Sequence, residues 1–374
     1  MSTDINERFR AQRSALIAAT GGVRREDGTY AATVGYDRGE VIGRDGLDTS
    51  LGRAALYSAV PAWHGLGCVI PGGISDINSV LDLGGIAFRV EKRRVQYEVD
   101  GALRAMADRW VTVRMDTGAA LGTVGARYQI FQQLEIFTFL QDLVAEHDVI
   151  WESAGALREG RKVFITLRVP ESVVIDRGGL DDEVILFIVV INSHDGTSGA
   201  EAVATPWRVV CGNTERFALR DAVSRWSLRH TSGALQNLAE ARRTLGLSVR
   251  YAQAFEAEET ALARTDLAIN DFHKLIAELW PLDDEAAPRA RRIAERRRDR
   301  LDVMFRDESE QLGHTAYAAE RVVTDYLDHI APRRPGKTMS EEIARATAVL
   351  EGSDDDLKST AHKRLMNLRA VRTT

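Results

Sequence analysis

The sequence predicts an α+β fold: an N-terminal, mainly antiparallel sheet with a crossing helix, followed by a helical C-terminal region. Three observations carry this expectation. Most segments between residues 86 and 213 alternate apolar and polar residues at the period of a strand. One helix-periodic segment, LEIFTFLQDLVAEH, interrupts them. From residue 214 onward the period is helical. The 374 residues suit two domains at roughly 150 residues each, or one with an appendage. We divide them into a polar arm (1–52), a sheet domain (53–228) and a helical region (229–374).

Residues 1–52 are polar and dotted with glycine, with a short helical pattern at Glu7–Ala19. After PAWHGLGCVIPGG comes a short helix, with Ser75 as N-cap, Ile77, Val80 and Leu81 at helical spacing and Gly84 as the stop. In RRVQYEVDG, Val95, Tyr97 and Val99 alternate with polar residues; in RWVTVRM, Val111, Val113 and Met115 share one face. The interrupting helix places Leu134, Phe137, Leu140 and Val144 on one side. Strands resume at VIWESAG, RKVFITLRVP and EVILFIVVIN. The last holds eight consecutive apolar residues, Val184–Ile191, which predicts burial of both faces. AVATPWRVVCGNT closes the strand block. Helices are expected at 214–226, 234–278, 286–306, 315–330, 339–351 and 355–372, punctuated by Pro281, Pro288, Pro332 and Pro335.

Composition excludes several classes. Hydrophobic residues at 44% and charged residues at 28% are a globular balance. A net charge of −6 excludes a uniformly basic nucleic-acid coat. Two cysteines, Cys68 and Cys211, exclude a disulfide framework. No apolar run reaches the roughly 18 residues of a membrane span, and the first residues lack the apolar core of a secretory leader. No Walker loop, GxSxG or HExxH is present, so no cofactor and no metal are expected, and an enzyme is the less favoured class.

Six segments together resemble a known family. They are AWHGLG (62–67), GTVGARYQIFQQLEIFTFLQDL (122–143), ESAGALREGRKVFITLRVP (152–170), NSHDGTSG (192–199), TPWRVVCGNT (205–214) and TAYAAERVVTDYLDH (315–329). In this order they resemble the phage/plasmid-like family built on domain of unknown function 932, over about residues 60–330. Gln133 departs from that pattern, where Asn is expected, and the N-terminal arm is longer. The resemblance implies a mobile-element origin, and with it a cytoplasmic location in a bacterial host.

Two sets of residues are candidates for function. The first is cationic and aromatic. Residues 88–114 carry seven bases against four acids, whereas 131–205 carry five bases against thirteen acids. Charge is therefore segregated. Arg89, Lys92, Arg93, Arg94, Tyr97, Arg109, Trp110, Arg114, Arg127 and Tyr128 suit single-stranded nucleic acid, with cations on phosphates and rings on bases. A solvated outer sheet face has the same composition. In RARRIAERRRDR seven of twelve residues are Arg, and Arg289, Arg292, Arg296 and Arg300 form one helical stripe. That stripe fits phosphate binding, through Arg292 and Arg296 above all, or a solvated helix with Glu295 and Asp299 as ion-pair partners. The expected partner is single-stranded DNA, with both cationic segments meeting in one track.

The second set suits a ligand pocket: Asn192, Ser193, His194, Asp195, Arg208, Cys211, Asn213 and Thr214. His194 fits a base oriented by Asp195 or a phosphate donor. Asp195-Gly196 equally fits a hairpin turn. Asn213 or Thr214 fits a helix N-cap, and Arg208 beside it an anion site. Trp63-His64-Gly65 fits either a core plug or a ligand lid. A third possibility is an oligomeric scaffold built through Leu235, Leu238, Leu245 and Val249.

Overall fold

A computed structural model of the chain describes residues 68–69, 76–147, 149–208, 225–232, 234, 248–283, 285–333 and 341–372. The arm at 1–52, the Trp63-His64-Gly65 segment, and Cys211, Asn213, Thr214, Leu235, Leu238 and Leu245 lie outside them.

The architecture is α+β, with antiparallel sheets in the N-terminal half and helices in the C-terminal half. A six-stranded sheet runs in the order β1 (Cys68–Val69), β5 (Ile150–Leu157), β6 (Lys162–Ile175), β7 (Asp182–Ser193), β8 (Ala200–Arg208) and β9 (Arg225–Leu228). Every neighbouring pair is antiparallel. A second sheet holds β2 (Val90–Val99), β3 (Ala102–Arg114) and β4 (Ala120–Val124). Two helices, α1 (Ile77–Leu83) and α2 (Gln133–His147), belong to this half. The C-terminal half contains α3 (Ser248–Ala263), α4 (Ile269–Leu279), α5 (Pro288–Leu312), α6 (Ala316–Asp325), α7 (Glu341–Glu351) and α8 (Asp355–Arg372).

The eight-residue apolar run lies in β7, between β6 and β8. Alternate residues of β7 divide one sheet face between two cores. Ile188 and Val190 pack with Val80, Phe137 and Leu140 of α1 and α2. Val184 and Leu186 pack with Phe255, Val323 and Leu365 of the C-terminal helices. The other face is closed too, since Phe187 and Val189 are buried. Burying each such side chain contributes about 2 kcal/mol, so the central strand joins both halves of the fold.

Four local expectations are corrected. Ser75 lies outside the described residues, and α1 is capped by Asp76, whose carboxylate accepts from the Ser79 backbone N–H at 3.0 Å. In β3 the buried residues are Thr112 and Arg114, while Val111 and Val113 are half-buried and Met115 is exposed. Hydrogen bonds decide that register rather than apolar alternation: Thr112 Oγ1 donates to the His194 carbonyl at 2.7 Å. The helix expected at 214–226 does not extend through its last residues. Trp226 and Leu228 are buried and Arg225 and Ser227 exposed, so β9 extends the sheet at its edge. The helical pattern at 234–278 is broken at 264–268, where Asp266 forms a bridge with Thr315.

Candidate functional site

β2 and β3 outrun their own sheet. β4 reaches only as far as Trp110, opposite Val124. Beyond that point residues 101–109 are all exposed. Tyr97 is 49% exposed, Leu103 69% and Met106 47%, so this part of the hairpin is an arm with solvent on both faces. Its tip is Asp100-Gly101, at φ 52° and 76°. A two-residue mirror-image turn needs positive φ at both places, and Asp-Gly supplies it.

The cations on this arm have different roles. Arg94 faces Trp110 across the strands and lies 5.2 Å from the ring centre. Tyr97 is directly opposite Arg104. Arg93 is paired with Glu91 at 2.7 Å. Among the described residues, Arg89, Arg94, Arg104, Arg109 and Arg127 are exposed and close no ion pair. Three expected contacts are corrected. Arg114 is buried, bonded to both Asp116 oxygens at 2.8 and 3.0 Å and to the Glu159 carbonyl, with Phe88 under its guanidinium. That hydrogen bond holds the Asp116 carboxyl below its usual range. Lys92 donates to the Ala126 and Tyr128 carbonyls. The Tyr128 hydroxyl donates to the Ser193 carbonyl at 2.8 Å, and burial raises its pKa. These three fasten the arm to the sheet, and Arg114 is buried away from solvent.

The fastening is built by YQIFQQ and NSHDG. His230 is stacked between Tyr128 and Phe131, at 4.6 and 4.3 Å. Asn192 Nδ2 donates to the Phe131 carbonyl, and the Gln132 amide pairs with both backbone groups of Val90. Asp195 lies in the connection between β7 and β8 and accepts from Ser193 Oγ and from Thr197, as the turn reading expects. Burial would raise its carboxyl, but those hydrogen bonds and Lys162 hold it low. His194 is fully buried. Burial, then the charge of His230, depresses its pKa to about 3. A sealed neutral imidazole meets no substrate, so the base and phosphate-donor readings are corrected.

The pocket reading fails on distance as well. Arg208 pairs with Val184 at the start of β7, and His194 follows its end. Ten residues at roughly 3.3 Å each separate them by about 30 Å. Gly122 tests the fastening: a Cβ there meets the Asp195 carbonyl oxygen at 2.4 Å. Gly122→Ala is expected to cost about 2 kcal/mol or more in denaturant unfolding. An unchanged midpoint would show that β4 does not depend on this contact.

In α5, Arg292 and Arg296 are exposed, and among the described residues neither Glu295 nor Asp299 pairs with them. The cleft beside the helix, of about 550 Å³, is lined instead by Arg291, Arg297, Arg298 and Trp280. Arg297 covers the Trp280 ring at 5.0 Å. The arm is rooted in the first core through Val90, and α5 in the second through Leu301 and Phe305. The two cationic segments are thus anchored in different hydrophobic cores.

Sequence reasoning missed a buried polar cluster. Glu258 and Glu259 of α3, Glu320 and Arg321 of α6, and His362 of α8 meet between helices. Lys358 and Asp328 form a second buried pair beyond it. The five residues of the cluster come from three helices far apart in the chain, so no spacing in the sequence announces it.

The model of a family described as "Domain of unknown function (DUF932)" matches residues 120–350. That span runs from β4 into α7 and contains the YQIFQQ and NSHDG segments; the arm, with Val90, Lys92 and Arg114, precedes it. No curated protein and no solved structure matches the chain.

Proposed function

The chain belongs to the DUF932 family, and from this premise we propose that it is a phage- or plasmid-type nucleic-acid-binding protein that holds single-stranded DNA along the β2–β3 arm. One observation carries the proposal. The arm offers Arg94, Arg104 and Arg109, exposed and without carboxylate partners among the described residues, interleaved with the rings of Tyr97 and Trp110. Such a ribbon suits a polyanion with exposed bases: guanidinium groups follow phosphates, and rings accept bases of any identity. The arginine-rich side of α5 provides a second surface of the same kind, with Trp280 among its lining residues. Recombination or replication of a mobile element is the setting this chemistry fits.

The test is fluorescence anisotropy of a labelled thymidine oligonucleotide with the full chain, over a series of salt concentrations. Each phosphate neutralised lowers log K by about 0.7 per decade of salt on a single strand. The double variant Arg94→Glu/Arg104→Glu should weaken binding about tenfold or more at roughly 0.1 M salt, with its circular dichroism unchanged. A salt-independent affinity, or one untouched by this variant, overturns the proposal.

A second reading has its own observation. Leu103 and Met106 are large apolar side chains left in solvent on the arm, as on a surface that meets another copy of the chain. Light scattering separates the two readings: a wild-type oligomer that Leu103→Glu converts to monomer, with DNA binding lost in neither, favours assembly.

A further inference from the structure

The buried cluster between α3, α6 and α8 has the arrangement of a metal site. Glu259, Glu320 and His362 are at most 2% exposed. His362 Nδ1 lies 2.7 Å from Glu320 Oε1 and 3.5 Å from Glu259 Oε1. All three ligand atoms fall within 4.8 Å of one another. A divalent ion bonded at about 2.1 Å spaces its ligand atoms about 3.0 Å apart at right angles, and about 3.4 Å at tetrahedral angles. The two separations from His362 Nδ1, 2.7 and 3.5 Å, lie on either side of this spacing before any ion enters. Glu259 Oε1 is buried without a hydrogen-bond partner among the described residues, and it lies within 4.8 Å of the other two ligand atoms.

The surroundings are those of a supported site. Arg321 Nη2 donates to Glu259 Oε2 at 3.0 Å and to Glu320 Oε2 at 2.9 Å. The arginine thus takes the outer oxygens and turns both inner ones towards His362. Across the imidazole ring, Nε2 lies 2.7 Å from Glu258 Oε2. A carboxylate on the far nitrogen of a histidine fixes its tautomer and strengthens the near nitrogen as a ligand.

We propose that Glu259, Glu320 and His362 bind one divalent transition-metal ion of the zinc or manganese class, with Arg321 and Glu258 as positioning residues. Two carboxylate oxygens and one imidazole nitrogen are a donor set for such ions rather than for calcium or copper(I). Charge balances on entry. A divalent ion that displaces two protons from the ligand groups to solvent leaves the net charge of the cluster unchanged. The ligands come from α3, α6 and α8, so the ion would tie together three helices of the second core.

The untagged full chain, stripped with a chelator and dialysed, is titrated with zinc chloride. One zinc per chain is expected by elemental analysis, with an X-ray absorption spectrum showing one imidazole and carboxylate oxygens at about 2.0–2.1 Å. Glu259→Gln and His362→Gln should each weaken binding at least about a hundredfold, and Glu258→Gln about tenfold. A chain that binds no zinc overturns the proposal, as does zinc whose affinity is untouched by Glu259→Gln. If the variants fold poorly, the wild-type spectrum decides alone: a shell with sulfur, or without imidazole, overturns it.

Discussion

Acidification below pH 6.5 destabilises the sheet half, and His194→Leu removes a large part of that loss. In the folded chain burial, reinforced by the nearby charge of His230, holds the His194 pKa at about 3. Burial depresses His230 to about 4, partly offset by its bond to the Gln129 carbonyl and by Asp195. Unfolded, both titrate near 6.5. Between these values the unfolded chain binds protons that the folded chain refuses. Stability is therefore fully present above pH 6.5, falls as the pH drops below it, and stops falling only near pH 4 for His230 and pH 3 for His194. Each histidine contributes about 1.4 kcal/mol per pH unit, so by pH 4.5 the loss is on the order of 3–5 kcal/mol. Asp116 and Asp195, held below the usual carboxylate range, add to it only at lower pH. Neither ring nitrogen of His194 has a hydrogen-bond partner among the described residues, so leucine sacrifices none there. The backbone bonds to Arg161 and Thr112 persist in the variant. Denaturant unfolding from pH 7.5 to 4.5 is the measurement. The His194→Leu curve should fall less steeply than that of the wild type; parallel curves would remove His194 as the acid-sensitive group.

The same histidine shows where reading the chain alone stops. The run of strands along the chain, the helix that interrupts it and the doubly buried β7 are local properties, written in period and run length, and they stand as expected, although the strands divide between two sheets. The turn at Asp195-Gly196 is likewise a matter of side chains bonding to nearby backbone. Burial of a polar residue depends on partners distant in sequence. Thr112 and Arg114 face inward because the His194 carbonyl, Asp116 and Glu159 receive them, although the apolar pattern assigns that face to Val111 and Val113. Antiparallel pairing also sends His194 and Arg208, fourteen positions apart, to opposite ends of the sheet. On the arm the composition was legible, since exposed cations and rings need no partner to be recognised. Which of them are engaged, as Lys92 and Arg114 are, was not.

Arg321→Met should be the most damaging single change in the helical half. The side chain is 1% exposed, sits over the Tyr317 ring at 4.6 Å, and bridges two buried glutamates. Methionine replaces much of its volume, so the loss reports on charge rather than on a cavity. Removing one partner of a buried ionic group typically costs about 3–5 kcal/mol, because the remaining charges keep their desolvation cost. Burial, followed by Glu320, already pushes the Glu259 carboxyl well above its ordinary range, and loss of the guanidinium leaves Glu259 and Glu320 facing each other without it. Arg321→Met/Glu259→Gln removes one of those carboxylates and should recover part of the loss. Strict additivity of the two single effects would show that they do not interact. The single variant also keeps all three inner ligand atoms. Zinc at about a hundred times its dissociation constant stabilises a folded state by about 2.7 kcal/mol, so it should restore much of what Arg321→Met loses. It should restore nothing in Arg321→Met/His362→Gln, where the arginine is equally absent but the imidazole is gone. Equal responses of the two variants to zinc would mean that the cluster is held by its arginine and protons alone.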